Sequence, residues 1–335
     1  MKILVAALTA AALSLGALGA RAYHVATTFV LGGDGGWDYV AFDTLGQRLF
    51  IARATRVMVV RPETGKVIAE IPNIGGAHGI AIADEFGHGF ATGGRDSSVT
   101  MFDLKSLAIL RKVTAAPDAD AVLYDPVTKR VFTFNGDSKS SSVFDAKTGD
   151  KVGTIDLKSG PEFGVSDFAG KLYVNLEDEG AIAEIDARAM TVTRRWPLAP
   201  CKSPTGLAID RERHLLFSGC RSKVMAISDA AAGKLLTTVP IGAGVDAAVY
   251  DADTKLAFAS NGDGTLSVLS ESGGQWNVAT VQTMPGARTM ALDPKTHRIF
   301  TVSAKFGPAP AATPGNERPR PPVIPGTFSL LVLDP

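Results

Sequence analysis

Cysteine, histidine and tryptophan are all scarce in this chain: two, five and three residues among 335. No nearby histidine completes a ligand set with Cys201 and Cys220, so a Cys/His metal site is the weaker reading of the pair. Charge of one sign is not in excess either, with Lys plus Arg and Asp plus Glu at 34 each. That balance argues against a dedicated duplex nucleic-acid binder, which would carry a basic surplus. No apolar run after residue 22 is long enough to span a bilayer. No long helical pattern, Ser-His-Asp order or nucleophile elbow appears.

The first 22 residues read as a secretion signal rather than as structure. Lys2 supplies a positive start, Ile3 to Ala20 is an Ala/Leu/Val-rich run, and Ala20-Arg21-Ala22 is an A-x-A cleavage site. The expected mature chain begins at Tyr23, without a membrane anchor, in the periplasm or outside the cell. Losing Lys2 and Arg21 leaves 32 basic residues against 34 acidic ones.

What is abundant is repetition. A small apolar strand, an acidic turn and a strand with a large apolar residue recur seven times, with the turn acid at Asp43, Asp84, Asp125, Asp167, Asp210, Asp251 and Asp293. The second strand then carries Phe50, Phe90, Phe132, Tyr173, Phe217, Phe258 or Phe300. A period of roughly 40 residues with short strands of period two marks a β-propeller. The fold expected is an all-β, seven-bladed β-propeller of four-stranded antiparallel blades spanning 23–335. The last repeat lacks a fourth strand, and Tyr23 to Leu31 alternates suitably to supply it. The N-terminal strand therefore completes the last blade and removes an exposed edge.

An oxidising compartment permits a disulfide between Cys201 and Cys220, which fall at the same end of adjacent strands of the fifth repeat. Closing a loop of about 20 residues contributes on the order of 3 kcal/mol through chain entropy.

Segments such as Lys171-Leu172-Tyr173-Val174-Asn175 followed by Ile182-Ala183-Glu184-Ile185-Asp186 resemble the YVTN-type repeat. So do Val131 to Gly136 with Val143 to Gly149, and Ser203-Pro204-Thr205-Gly206-Leu207-Ala208 ahead of Asp210. Over essentially the whole mature chain the sequence is similar to secreted YncE-like propellers. The resemblance implies a mostly non-catalytic family, some members of which bind single-stranded DNA. It also places lactonases and metal-dependent lyases among structural relatives.

Five residues before each turn acid, at one mouth of the central channel, stand Asp38, Gly79, Asp120, Glu162, Thr205, Asp246 and Arg288, with Trp37 and His78 one residue earlier in their blades. One reading is that a wet channel mouth collects solvated charges. The other is a cation or polar-ligand site, with carboxylates as hard oxygen ligands for calcium or magnesium and Arg288 as a carboxylate or phosphate clamp. His78 or Glu162 is the candidate general base. His24, His88, His214 and His297 fall on an outer strand or opposite-face turns and are expected at the surface. Gly32 to Gly36 reads as a flexible connection between blades rather than a phosphate loop. Asn135-Gly136-Asp137 and Asn261-Gly262-Asp263-Gly264 read as hairpin turns that need no ion. One connection is enlarged: residues 304–327 form a proline-rich insertion with Lys305, Arg318 and Arg320, emerging at the same mouth as a lid, a docking arm or a tolerated insertion.

The leading expectation is an exported, non-enzymatic binding or scaffold propeller, a monomer presenting its polar mouth to a small polar ligand or an envelope partner. The alternative is a lactonase-like hydrolase or lyase using the mouth carboxylates with a divalent cation. The third reading, single-stranded DNA binding, draws on Arg53, Arg95, Lys139, Arg221, Trp37 and Phe163. It is weakened by the interleaved acids Asp96, Asp137, Glu177, Asp178 and Glu179.

Overall fold

The computed structural model describes residues 22–311, 319 and 321–335. The expected signal segment, apart from Ala22, and the middle of the proline-rich insertion lie outside the described residues. Strands are numbered β1 to β28 in chain order, and they form seven antiparallel sheets of four. Going round the ring, the innermost strands are β2 (Val40–Asp43), β6 (Ala77–Ala83), β10 (Ala119–Asp125), β14 (Pro161–Ser166), β18 (Pro204–Asp210), β22 (Val245–Asp251) and β26 (Met290–Asp293). In six blades the chain simply runs outward from there. In the seventh, β27 (Arg298–Ser303) and β28 (Ser329–Asp334) are joined on the outside by β1 (His24–Val30). His24 pairs with Asp334 and Val30 with Ser329, so the ring closes on its own N-terminal strand.

The repeated residue types have direct packing reasons. Phe50, Phe90, Phe132, Tyr173, Phe217, Phe258 and Phe300 are all buried and fill the spaces between blades. Phe50 of blade one, for instance, meets Phe102 of blade two at 5.5 Å between ring centroids. Small inner-strand residues are needed because neighbouring strands crowd about the axis. A Cβ on Gly206 would lie 2.5 Å from the Ala247 carbonyl carbon, and one on Gly79 would lie 2.8 Å from the Asp120 carbonyl oxygen.

Several turn acids are buried and saturated with donors. Asp125 accepts from the Thr128 amide at 2.9 Å, from its hydroxyl at 2.6 Å, and from Ser166 of the next blade at 2.7 Å. Asp210 accepts from the Arg213 guanidinium and the Tyr250 hydroxyl at 2.5 and 2.6 Å. Burial pushes its carboxyl up, but those hydrogen bonds outweigh it and hold the group below the usual range. Asp251 binds His297 at 2.8 Å. His297, expected at the surface, is thus a part-buried partner of a turn acid.

Cys201 and Cys220 are bridged, with Cα atoms 5.6 Å apart. Pro204 pairs with Cys220 across β18 and β19 (Leu215–Cys220), which sets the two cysteines side by side. At the ring closure, Arg53 is fully buried. Its guanidinium lies 3.5 Å over the Phe328 ring and donates to the carbonyls of Gly33, Asp34 and Gly35 at 3.0–3.2 Å. The glycine-rich connection expected to be flexible is therefore clasped. The same burial withdraws Arg53 from any nucleic-acid surface.

Candidate functional site

The inner strands do not run straight into the channel mouth. In four blades a β-bulge sets two residues opposite one: His78 and Gly79 face Thr92, Asp120 and Ala121 face Phe134, Glu162 and Phe163 face Asn175, and Thr205 and Gly206 face Gly219. In blade six Asp246 alone is left out of register. Bulges bend a strand and re-aim its side chains, and here they fall on the mouth position every time. Side chains then pin the mouth residues across blades. The Thr289 hydroxyl donates to the Asp38 carbonyl at 2.8 Å, the Asn175 amide to the Thr205 carbonyl at 2.8 Å, and the Thr92 hydroxyl to the Asp120 carbonyl.

Six of the expected residues meet in two groups. On the side of blades one to three, His78 Nδ1 lies 2.5 Å from Asp38 Oδ2 and 3.4 Å from Asp120 Oδ1. The hydrogen bond to Asp38 raises the imidazole to about 9, against a smaller opposing effect of burial. Asp120 moves up to about 7, through burial first and the Asp38 charge second. Its Oδ1 is buried and has no hydrogen-bond partner. Arg288 connects this group to the next, with Nε 2.9 Å from Asp246 Oδ2 and Nη2 3.8 Å from Asp38 Oδ1.

On the far side, burial raises Asp246 to about 6 despite Arg288. Glu162 is raised further, to about 10, by burial and by a hydrogen bond with Glu177. Glu162 therefore keeps its proton at neutral pH. Arg221 approaches both only loosely, at 3.9 Å from Glu162 and 3.5 Å from Glu177. The sum is a cup of carboxyls with too little neutralising charge.

Two expected residues are placed differently. Thr205 is fully buried and its hydroxyl donates to the Val245 carbonyl at 2.9 Å, so it joins blades five and six instead of facing a ligand. Trp37 leans outward onto Phe328 and Phe306, at 5.4 and 6.0 Å between ring centroids, and its buried Nε1 has no partner. It forms a wall between two hollows. One, of about 810 Å³, is lined by Asp38, His78, Arg95, Asp118, Asp137 and Arg288. The other, of about 540 Å³, lies against the proline-rich insertion, among Phe306, Pro321 and Val323. The first is of a size that suits a small molecule.

Sequence reading passed over Tyr39 and gave Glu177 no role at the mouth. Tyr39 is buried beneath the mouth, 5.3 Å from the Phe163 ring centroid. Burial and the surrounding Asp120, Asp246, Glu162 and Asp38 push its phenol well above the usual range, so it remains a neutral donor. Below it the channel is lined by apolar inner-strand residues such as Val40, Ile80, Val165 and Leu207. Tyr39 was legible only as the residue following a mouth acid. Glu177 lies just past the end of a second strand, where no periodic signal marks it.

Comparison with known proteins supports the fold alone. A chain in the crystal structure of a mitotic checkpoint complex superposes with a TM-score of 0.74 at 14% identity, over 100% of this chain and 99% of that one. No family model and no curated protein matches the sequence.

Proposed function

We propose that this chain is an exported, non-enzymatic binding propeller of the YVTN-repeat, YncE-like kind, whose channel mouth takes a small polar ligand bearing positive charge. The observation that carries the reading is the under-neutralised set of part-buried carboxyls: Asp120, Glu162 and Asp246 are all raised, and desolvation is the largest cause in each. A cationic ligand would supply the missing charge and replace water around the acids. Support for export comes from Lys2, the apolar run to Ala20 and the Ala20-Arg21-Ala22 site.

The same features weigh against the other readings. A lactonase-like hydrolase needs a base free at neutral pH, whereas burial holds the proton of Glu162, a candidate base, up to about 10. A single-stranded DNA backbone would meet the mouth acids as a repelling surface.

Calorimetry with spermidine and arginine as cationic probes and citrate as the anionic one tests the proposal. The cations should bind and citrate should not, with Asp246→Asn weakening the cations roughly tenfold at pH 7. Binding of citrate in preference to both cations would overturn it. N-terminal sequencing of the exported protein should begin at Tyr23.

A further inference from the structure

We propose that Asp38, His78 and Asp120 form a mononuclear site for a divalent first-row transition-metal ion, distinct from the carboxyl group around Glu162 and Asp246. The three come from consecutive blades at the same mouth position: His78 and Asp120 sit on bulged strands, and Asp38 lies two residues before β2, with its amide donating to the Ala52 carbonyl at 3.2 Å. One ligand atom from each lies within 4.8 Å of the other two, the only such group among the described residues. The 3.4 Å from His78 Nδ1 to Asp120 Oδ1 matches the edge expected of two ligands each about 2.1 Å from a shared ion, whereas the 2.5 Å from Nδ1 to Asp38 Oδ2 is a hydrogen bond that an ion would replace and lengthen.

One feature points to a missing partner rather than a finished hydrogen-bond cluster. Asp120 Oδ1 is buried, faces the imidazole and has no hydrogen-bond partner. A buried acceptor left in that state costs about 1–3 kcal/mol unless something occupies it, and an ion would. The ring is also held from behind. A Cβ on Gly94 would lie 2.9 Å from His78 Cδ2 and Nε2, so glycine admits the imidazole in this pose. The carbonyls of Asp38 and Asp120 are fixed by the hydroxyls of Thr289 and Thr92.

The donor set decides the class of ion. Calcium takes six to eight oxygen ligands and magnesium retains its waters, whereas an imidazole nitrogen with two carboxylates suits zinc, cobalt or manganese. Three ligands on one side leave positions open toward the hollow of about 810 Å³, where an exchangeable ligand atom would complete the shell.

The test uses the full chain, treated with EDTA and dialysed. Cobalt(II) should bind one to one with visible d–d absorption, displaced by zinc(II) but not by millimolar calcium. His78→Gln and Asp120→Asn should each weaken cobalt by on the order of 100-fold. His24→Ala, on the exposed edge of β1, should leave it unchanged. Circular dichroism of both site variants shows whether they are folded, and either variant suffices. Absence of a cobalt spectrum, equal affinity in a folded His78→Gln or Asp120→Asn, or displacement by calcium would each overturn the site. Spermidine binding to the EDTA-treated protein tests the cationic-ligand reading separately, since Glu162 and Asp246 are untouched.

Discussion

Each inner strand of this ring has an acid or its substitute at both ends, and the two ends behave in opposite ways. At the turn end, Asp125 is fully buried yet every oxygen has a donor, including one from the next blade. At the mouth end, Asp120 on the same strand is part-buried, with its buried Oδ1 unpartnered and its proton held up to about 7. The residue type, strand and blade are shared; only the surroundings differ. The turn supplies donors as it closes, and an Asp there gains stability from burial. A bulge supplies none, so burial of the acid costs stability that only a ligand or ion can offset. The turn acids repeat because each blade needs one. The mouth residues differ from blade to blade because no blade needs them.

The largest effect that tests this contrast belongs to a turn acid. Asp125→Ala should cost about 3 kcal/mol in urea unfolding, since it strands the buried Ser166 hydroxyl and the Thr128 donors. A loss near zero would remove the distinction.

The mouth acid should respond with the opposite sign. Glu162 rises from 4.5 in the unfolded chain to about 10 in the folded one. The folded protein therefore keeps a proton that the unfolded chain releases, and stability falls as pH climbs through that window. Glu162→Gln should thus stabilise by about 1–3 kcal/mol at pH 8 and by nothing measurable at pH 4. Destabilisation at pH 8 would make Glu162 a structural acid like Asp125.

A smaller effect concerns ligand affinity. Asp246 is raised to about 6, so binding of a cationic probe should strengthen roughly tenfold as pH rises from 5 to 7. In Asp246→Asn that dependence should flatten, as read by calorimetry at several pH values.

The smallest effect falls on Thr205, which shares the mouth register but not its role. Thr205→Val should lose about 1 kcal/mol from the missing bond to Val245 and leave probe affinity unchanged. A change in affinity would return it to the site.

These contrasts explain what the sequence could and could not disclose. The ring was legible because the turn acids and the Phe50-type residues serve one packing purpose each, seven times over. Blade closure followed from the missing fourth strand after Asp334. The mouth position was legible too, because a fixed offset from the turn acid lands on the bulge. Its occupants were not fully so. Thr205 sits at the right offset, but its bulge turns the hydroxyl into the gap between blades. Glu177 reaches Glu162 from outside the period. Nor does residue type alone announce the bulges themselves, which decide which neighbours of Asp38, His78 and Asp120 come together.

The seam at Arg53 sets an order of events on how this protein comes into being. β1 leaves the ribosome before every other strand of the ring, and its partner β28 follows only after the strands between them. Six blades can form as the chain lengthens, but the seventh waits for β28, and until then Phe328 is not in place beneath Arg53. The half-made ring must persist with one strand idle, which makes closure a slow, long-range step. A chain cut short before Ser329 would not be a slightly smaller propeller: it would be an open one, with its first strand still unpaired.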